Sequence, residues 1–183
     1  MVKLQELFQK RQSVRKYLPD LVEKEKIDAI IEAVHLAPSA CNSQPWKLII
    51  VNDLALKEKV AKATFSKGIS FNKFVKEAPV IAVFVIEKAK LIARIGGSIK
   101  NQEYPQYDIG IAAEHFCLQA TELGLGTCMI GWFDEKRIRH LLNIPKKRKV
   151  GLLITLGYPP EDYKLRKKVR KPIEQIFRFN VYE

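Results

Sequence analysis

The apolar positions of this chain follow two rhythms. Leu4, Leu7 and Phe8 in KLQELFQKRQS stand at helical spacing, which predicts a short amphipathic helix. In VEKEKIDAIIEAVHLA, Ile27, Ile30, Ile31 and Val34 lie at i, i+3, i+4 and i+7 on one stripe. Pro38 ends that helix, because proline disfavours helical backbone in its predecessor. WKLIIVN and PVIAVFVI predict strands, the second buried on both faces by its unbroken apolar run. Leu54 to Phe65 reads as a helix between them. YDIGIAAEHFCLQATELGLG predicts the longest helix, capped by Asp108 and stopped by Gly124. TCMIG and VGLLITLG (Val150 to Gly157) predict two further strands, with a helix from Asp134 to Leu142 between them. The alternation gives a layered sheet with helices on both faces.

The long helix is apolar over more than half its girth. Ile109, Ala112, Ala113, Phe116, Ala120 and Leu123 form one broad stripe, and Ile111, Cys117 and Leu118 widen it. A surface that wide has to be covered from two sides, either by a monomeric core or by a core and a second subunit. Gly110, Ala112, Ala113 and Ala120 would let a neighbouring helix come close.

Composition narrows the classes. With 183 residues, 47% of them hydrophobic, the chain suits one domain with a full core. The longest apolar run is too short to span a bilayer, and the N-terminal segment lacks the apolar stretch of a signal peptide, so a cytoplasmic protein is expected. Cys41, Cys117 and Cys128 show no C-x-x-C spacing, and His35, His115 and His140 are scattered, so neither disulfides nor a metal site is expected. The net charge of +12 favours an anionic partner: nucleic acid, an acidic membrane surface or a phosphate-bearing small molecule. No helix-turn-helix, zinc-finger or RNP-like aromatic pattern accompanies it, which sets nucleic acid behind the phosphate reading.

Four stretches could carry chemistry. In RQSVRKY, extended backbone would turn Arg11, Ser13 and Arg15 to one side, two guanidinium forks flanking a hydroxyl. Lys168 and Arg170 offer a second anion reader before Pro172. ELGLGTCMIGWF is not a dinucleotide fingerprint, since a strand follows its first glycines, but Gly131 at a strand end suggests backbone open to a flat ligand. APSACNSQPW joins a helix to a strand with more polar side chains than a connector needs.

Taken in order, R-x-S-x-R-x-Y, P-S-x-x-N-x-Q-P-W, YDIGIAAEHFCLQATELGLGTCMIGWFDE and the GYP-to-RKP tail resemble the FMN-dependent nitroreductase family. The resemblance runs from Arg11 to Pro172. It implies an α+β fold, a three-layer α/β/α sandwich with a mixed, mostly antiparallel central sheet. It also implies a homodimer with tightly bound, non-covalent FMN at the subunit interface. Residues 1–172 would form the FMN-binding domain, and 173–183 an extension packing on the partner subunit. By position, Arg11 and Ser13 would hold the phosphate and ribityl chain, and Arg15 would lie near flavin N1 and the C2 carbonyl. Lys168 and Arg170 would close on the phosphate, and Gly131 would offer its backbone N–H near N5. Pro38, Ser39 and Asn42 would come from the other subunit. The implied reaction is a ping-pong transfer of two electrons, from NADH or NADPH to an electrophilic acceptor such as a nitroaromatic or quinone. No catalytic acid or base is needed. Dehalogenation, dehydrogenation, flavin fragmentation or flavin binding without turnover are alternatives on the same fold.

Three features depart from the family pattern. Ala40 stands where many relatives have serine, and bulky Trp132 where they have a small residue. The asparagine expected before the AP strand is displaced, which makes Asn72 the candidate for the flavin pyrimidine. Residues 87–107, with IGGS in their middle, occupy the place of a substrate-covering lid, and their glycines suggest an open or mobile cover.

Overall fold

The computed structural model describes residues 3–66, 68 and 70–182. Strands β1 (Trp46–Val51), β2 (Val80–Ile86), β3 (Gly126–Ile130) and β4 (Lys149–Gly157) form one sheet in the order β1-β2-β4-β3, and every ladder is antiparallel. A parallel bridge, Ser13 to Thr127, adds the N-terminal segment at the β3 edge and makes the sheet mixed.

Strand periodicity explains the layers. Val80, Ala82 and Phe84 of β2 point into one core, and Ile81, Val83 and Val85 into the other. The first core is closed by α2 (Lys24–His35) and α5 (Tyr104–Glu122), with Phe84 and Phe116 edge to face at 6.3 Å. The second core is closed by α3 (Leu54–Ala61) and α6 (Glu135–Leu141), giving the three-layer sandwich. The unbroken apolar run of β2 is thus spent on two cores.

Four expectations need correction. The long helix begins at Tyr104, because Pro105 fits a first turn that needs no N–H there; Asp108 is interior to it and does not cap it. Helix α3 stops at Ala61, where the Thr64 hydroxyl donates to the Ala61 carbonyl. The IGGS segment lies inside a helix, α4 (Leu91–Lys100), with Gly97 buried against Tyr104. Finally, Ala112, Ala113 and Ala120 are fully buried within the protomer, so the close approach they allow is to α2 and the sheet. Gly110, with open space around it, is the small residue on the outer face, beside exposed Tyr107 and Ile111.

Candidate functional site

Helix α1 (Leu4–Lys10) delivers the chain to Arg11, and the next residues run extended along β3. The Val14 N–H donates to Thr127 O at 2.8 Å, and Val14 is buried against Gly126. A Cβ on Gly126 would lie 2.7 Å from Val14 Cγ2, so this glycine is what lets the segment dock. The Tyr17 hydroxyl donates to Val14 O at 2.8 Å and lies 2.6 Å from Thr155 Oγ1, pinning the far end. With Val14 inward, Arg11, Ser13 and Arg15 fall on the other side, as strand alternation requires.

The basic tail straps this segment. Gln12 Nε2 donates to Lys164 O at 3.3 Å, and the Arg166 N–H donates to Gln12 Oε1 at 3.1 Å. The Arg166 guanidinium donates to Ser13 O, and Lys168 Nζ donates to Arg11 O. Lys168 is held below the ordinary lysine range by partial burial, then by the charges of Arg11 and Arg170 beside it. Among the described residues the one carboxylate matched to these cations is Glu114 of α5, whose Oε1 lies 3.3 Å from Arg11 Nε. Arg15 stands at the outer end, its Cζ 6.0 Å from the Phe74 ring centroid and its N–H bonded to Tyr163 Oη at 2.9 Å. Burial pushes the Cys128 thiol above its ordinary range, against the lowering pull of Arg15.

Asn72 is buried. Its side-chain NH2 donates to the carbonyls of Thr64 (3.1 Å) and Trp132 (3.2 Å), so it braces the turn after β3. That brace leaves Gly131 with nothing within 4 Å of where a Cβ would stand, and Trp132 exposed, edge-on to Phe71 at 6.5 Å.

Pro38, Ser39 and Asn42 belong to a different group. Their loop makes a 3₁₀ turn, Ala40–Asn42, with positive φ at Cys41, Asn42 and Gln44. The Ser39 hydroxyl accepts from the Gln44 N–H at 2.8 Å, and Gln44 Nε2 donates to Asn42 Oδ1 at 2.7 Å. Asp108 Oδ1 accepts from the Ala40 N–H at 3.0 Å, while its Oδ2 is buried without a partner. Asp108 therefore caps this loop, and Gln44 supports it.

Among the described residues no hydrogen bond or ion pair joins the two groups. Both are anchored on α5, the loop through Asp108 and the cations through Glu114. Six helical residues separate the anchors by about 9 Å along the axis and put them on different sides of the helix.

Sequence reasoning missed Arg166 and misassigned Asp108. The first was signalled by the alternation Lys164, Arg166, Lys168, Arg170, which puts every second basic residue on one side of an extended tail. The second had no local signal, because its partner Ala40 is 68 positions away.

The family model described as the nitroreductase family matches residues 8–158. A Thermus thermophilus NADH dehydrogenase is 27% identical over 179 residues, covering 84% of this chain and 85% of the relative. The solved structure of an FMN-dependent nitroreductase from Clostridium difficile superposes at a TM-score of 0.75 with 31% identity, covering 96% of this chain and 98% of that one. An iodotyrosine deiodinase of Thermotoga neapolitana is 25% identical over 203 residues, covering 100% of both chains. The first three motifs lie inside the matched span, which ends at residue 158 before the RKP tail, and the chain belongs to the nitroreductase family.

Proposed function

We propose that the protein is an FMN-dependent oxidoreductase, passing two electrons from NADH or NADPH to an electrophilic acceptor such as a nitroaromatic or quinone. The observation that carries this reading is the convergence of Arg11, Lys168 and Arg170 with Glu114 as their one matched carboxylate among the described residues. Positive charge gathered against solvation calls for an anion, and a phosphate ester supplies it. When bound, FMN would supply the hydride chemistry.

The chain's own residues bind and orient. Arg11, Lys168 and Arg170 hold the phosphate, with Arg166 fixing the tail that carries them. Ser13 contacts the ribityl chain. Arg15 would place a cation near N1 and the C2 carbonyl, where positive charge favours the reduced, anionic ring. Gly131 would offer its backbone N–H to N5, and Asn72, its amide N–H groups spent on bracing that turn, would have only its side-chain oxygen left for the pyrimidine edge. Pro38, Ser39 and Asn42 serve the flavin of a second copy, since α5 holds them away from the cations of their own chain.

The tail favours the same dimer. Ile173, Ile176, Phe177, Phe179, Val181 and Tyr182 are all exposed, and an apolar strip of that length fits a partner's surface better than water. Residues 173–182 are assigned to that contact; Glu183 lies outside the described residues. Use of NADH or NADPH fits a cytoplasmic location. No helix of the described residues is long and apolar enough to cross a membrane. The deiodinase relative favours a second reading, reductive dehalogenation at the same site, in which halide release replaces nitro or quinone reduction.

The test is anaerobic. Protein reconstituted with FMN should elute as a yellow dimer whose colour bleaches with NADH or NADPH. A flavin that stays oxidised under both would refute the assignment.

A further inference from the structure

Helix α4 carries an apolar surface that no described residue of this chain covers. Leu91, Ile92, Ile95 and Ile99 are 65%, 75%, 51% and 75% exposed. They share one arc of the helix, since residues 91, 95 and 99 each step on by about 40° and 92 closes an arc of about 100°. The inward arc is committed to packing: a Cβ on Gly97 would lie 2.7 Å from Gln102 O. The helix is also tied to the loop half of the site. The Lys90 N–H donates to Ser43 Oγ at 3.3 Å, and α4 packs on the turn Ala40–Asn42.

Charge around this stripe is mostly positive. Lys88, Lys90, Arg94 and Lys100 take part in no ion pair among the described residues. Of the two carboxylates of the segment, Glu87 is paired with Arg148 at 2.6 Å, while Glu103 accepts from the Gln106 amide and lines the hollow described next, where Arg94 and Lys149 outnumber it. Beside the stripe, Leu91, Arg94, Ile95 and Ser98 face Ile86 and Tyr104 across a hollow of about 570 Å³. That is the size of a small-molecule site.

We propose that this hollow and stripe recognise the electron acceptor, and that they select flat aromatic acceptors bearing a carboxylate or sulfonate over neutral or cationic ones. The proposal rests on the flavin reading above and gives it a substrate class. Aliphatic side chains cover the ring, the Arg94 fork pairs with the anionic substituent, and the surrounding lysines repel a cation. Arg94 is the specificity-determining residue.

The test compares 1,4-naphthoquinone with its 2-sulfonate on FMN-reconstituted protein. Dividing the sulfonate-to-neutral ratio of kcat/KM in wild type by that in Arg94→Gln cancels the quinones' own reactivities. The expected drop in the variant is about twofold to fivefold, shrinking with salt. The double change Ile92→Ser, Ile95→Ser should raise KM for both quinones about tenfold, with FMN content and thermal midpoint retained. A ratio identical in wild type and Arg94→Gln overturns the proposal. So does a stripe variant with unchanged KM that has lost binding to phosphatidylserine vesicles seen in wild type, which would make the stripe a membrane contact. Absence of bleaching by NADH and NADPH in wild type overturns the flavin reading with it; bleaching with an unaltered ratio overturns this one alone.

Discussion

The two halves of the site are held by opposite means. Residues 11–15 and 164–170 meet across up to 157 positions of sequence, through side chains bonded to each other's backbone. The loop 39–44 is held mostly by bonds spanning at most five positions, with the Lys90 N–H on Ser43 Oγ and one buried acceptor from α5 as its long-range ties. The first half crowds cations and works against its own charge. The second accepts left-handed backbone at three residues, none of them glycine, and works against its own conformational preference. An anion should therefore relieve the first, and a single acceptor should govern the second.

Removing charge from the cation half gives the largest expected effect. Arg11→Ala with Lys168→Ala should weaken FMN binding about 10²- to 10³-fold, measured by fluorescence titration of the released flavin. Binding that changes less than tenfold would take the phosphate away from this cluster. The pH dependence follows from the lowered pKa of Lys168. Phosphate prefers the protonated amine, so affinity should fall as pH rises through that lowered value, before an ordinary lysine would titrate. In flavin-free protein the sign reverses. The folded state gives up this proton before the unfolded state does, so stability rises with pH between the lowered value and the ordinary 10.5. Lys168→Arg should flatten both trends, because guanidinium stays charged.

The loop half should break at Asp108. Asp108→Ala leaves the Ala40 N–H without its acceptor and should cost about 1–3 kcal/mol in urea unfolding. Asp108→Asn keeps an acceptor oxygen and gives the partnerless Oδ2 position a neutral group, so it should hold the loop at near wild-type stability. Equal losses in the two variants would show that the charge, not the acceptor, supports the turn.

The same contrast explains what was legible beforehand. The strands and most helices announced themselves through period, because each element answers to its own neighbours: β2 through its apolar run, α2 through its stripe. The family motifs were equally local. What stayed hidden depends on contacts between distant positions. Val14 docking on Gly126, Arg166 reaching Ser13 and Asp108 reaching Ala40 each join segments that no local pattern relates. The start of α5 was misread for a physical reason, since Asp at a helix start is a cap signal and Pro105 hides the preceding turn. The glycines of α4 read as flexibility, but Gly97 is there because Tyr104 and Gln102 leave no room for a side chain.

The smallest effect is a difference in thiol reactivity, and it sets the two halves side by side in one sample. Cys117 and Cys128 lie buried beside the cation half. Burial pushes Cys117 up to about 12 and raises Cys128, so neither offers thiolate near neutral pH. Cys41 is exposed in the loop half. Iodoacetamide at neutral pH should therefore add once to flavin-free protein, at Cys41 by peptide mass spectrometry, and three times after denaturation. FMN should slow the Cys41 adduct severalfold, because the proposed dimer would cover the loop with the second copy's flavin site, while Cys117 and Cys128 stay unmodified in both states. Labelling of Cys41 at the same rate with and without FMN would remove the loop from the flavin site and leave the cation half standing alone.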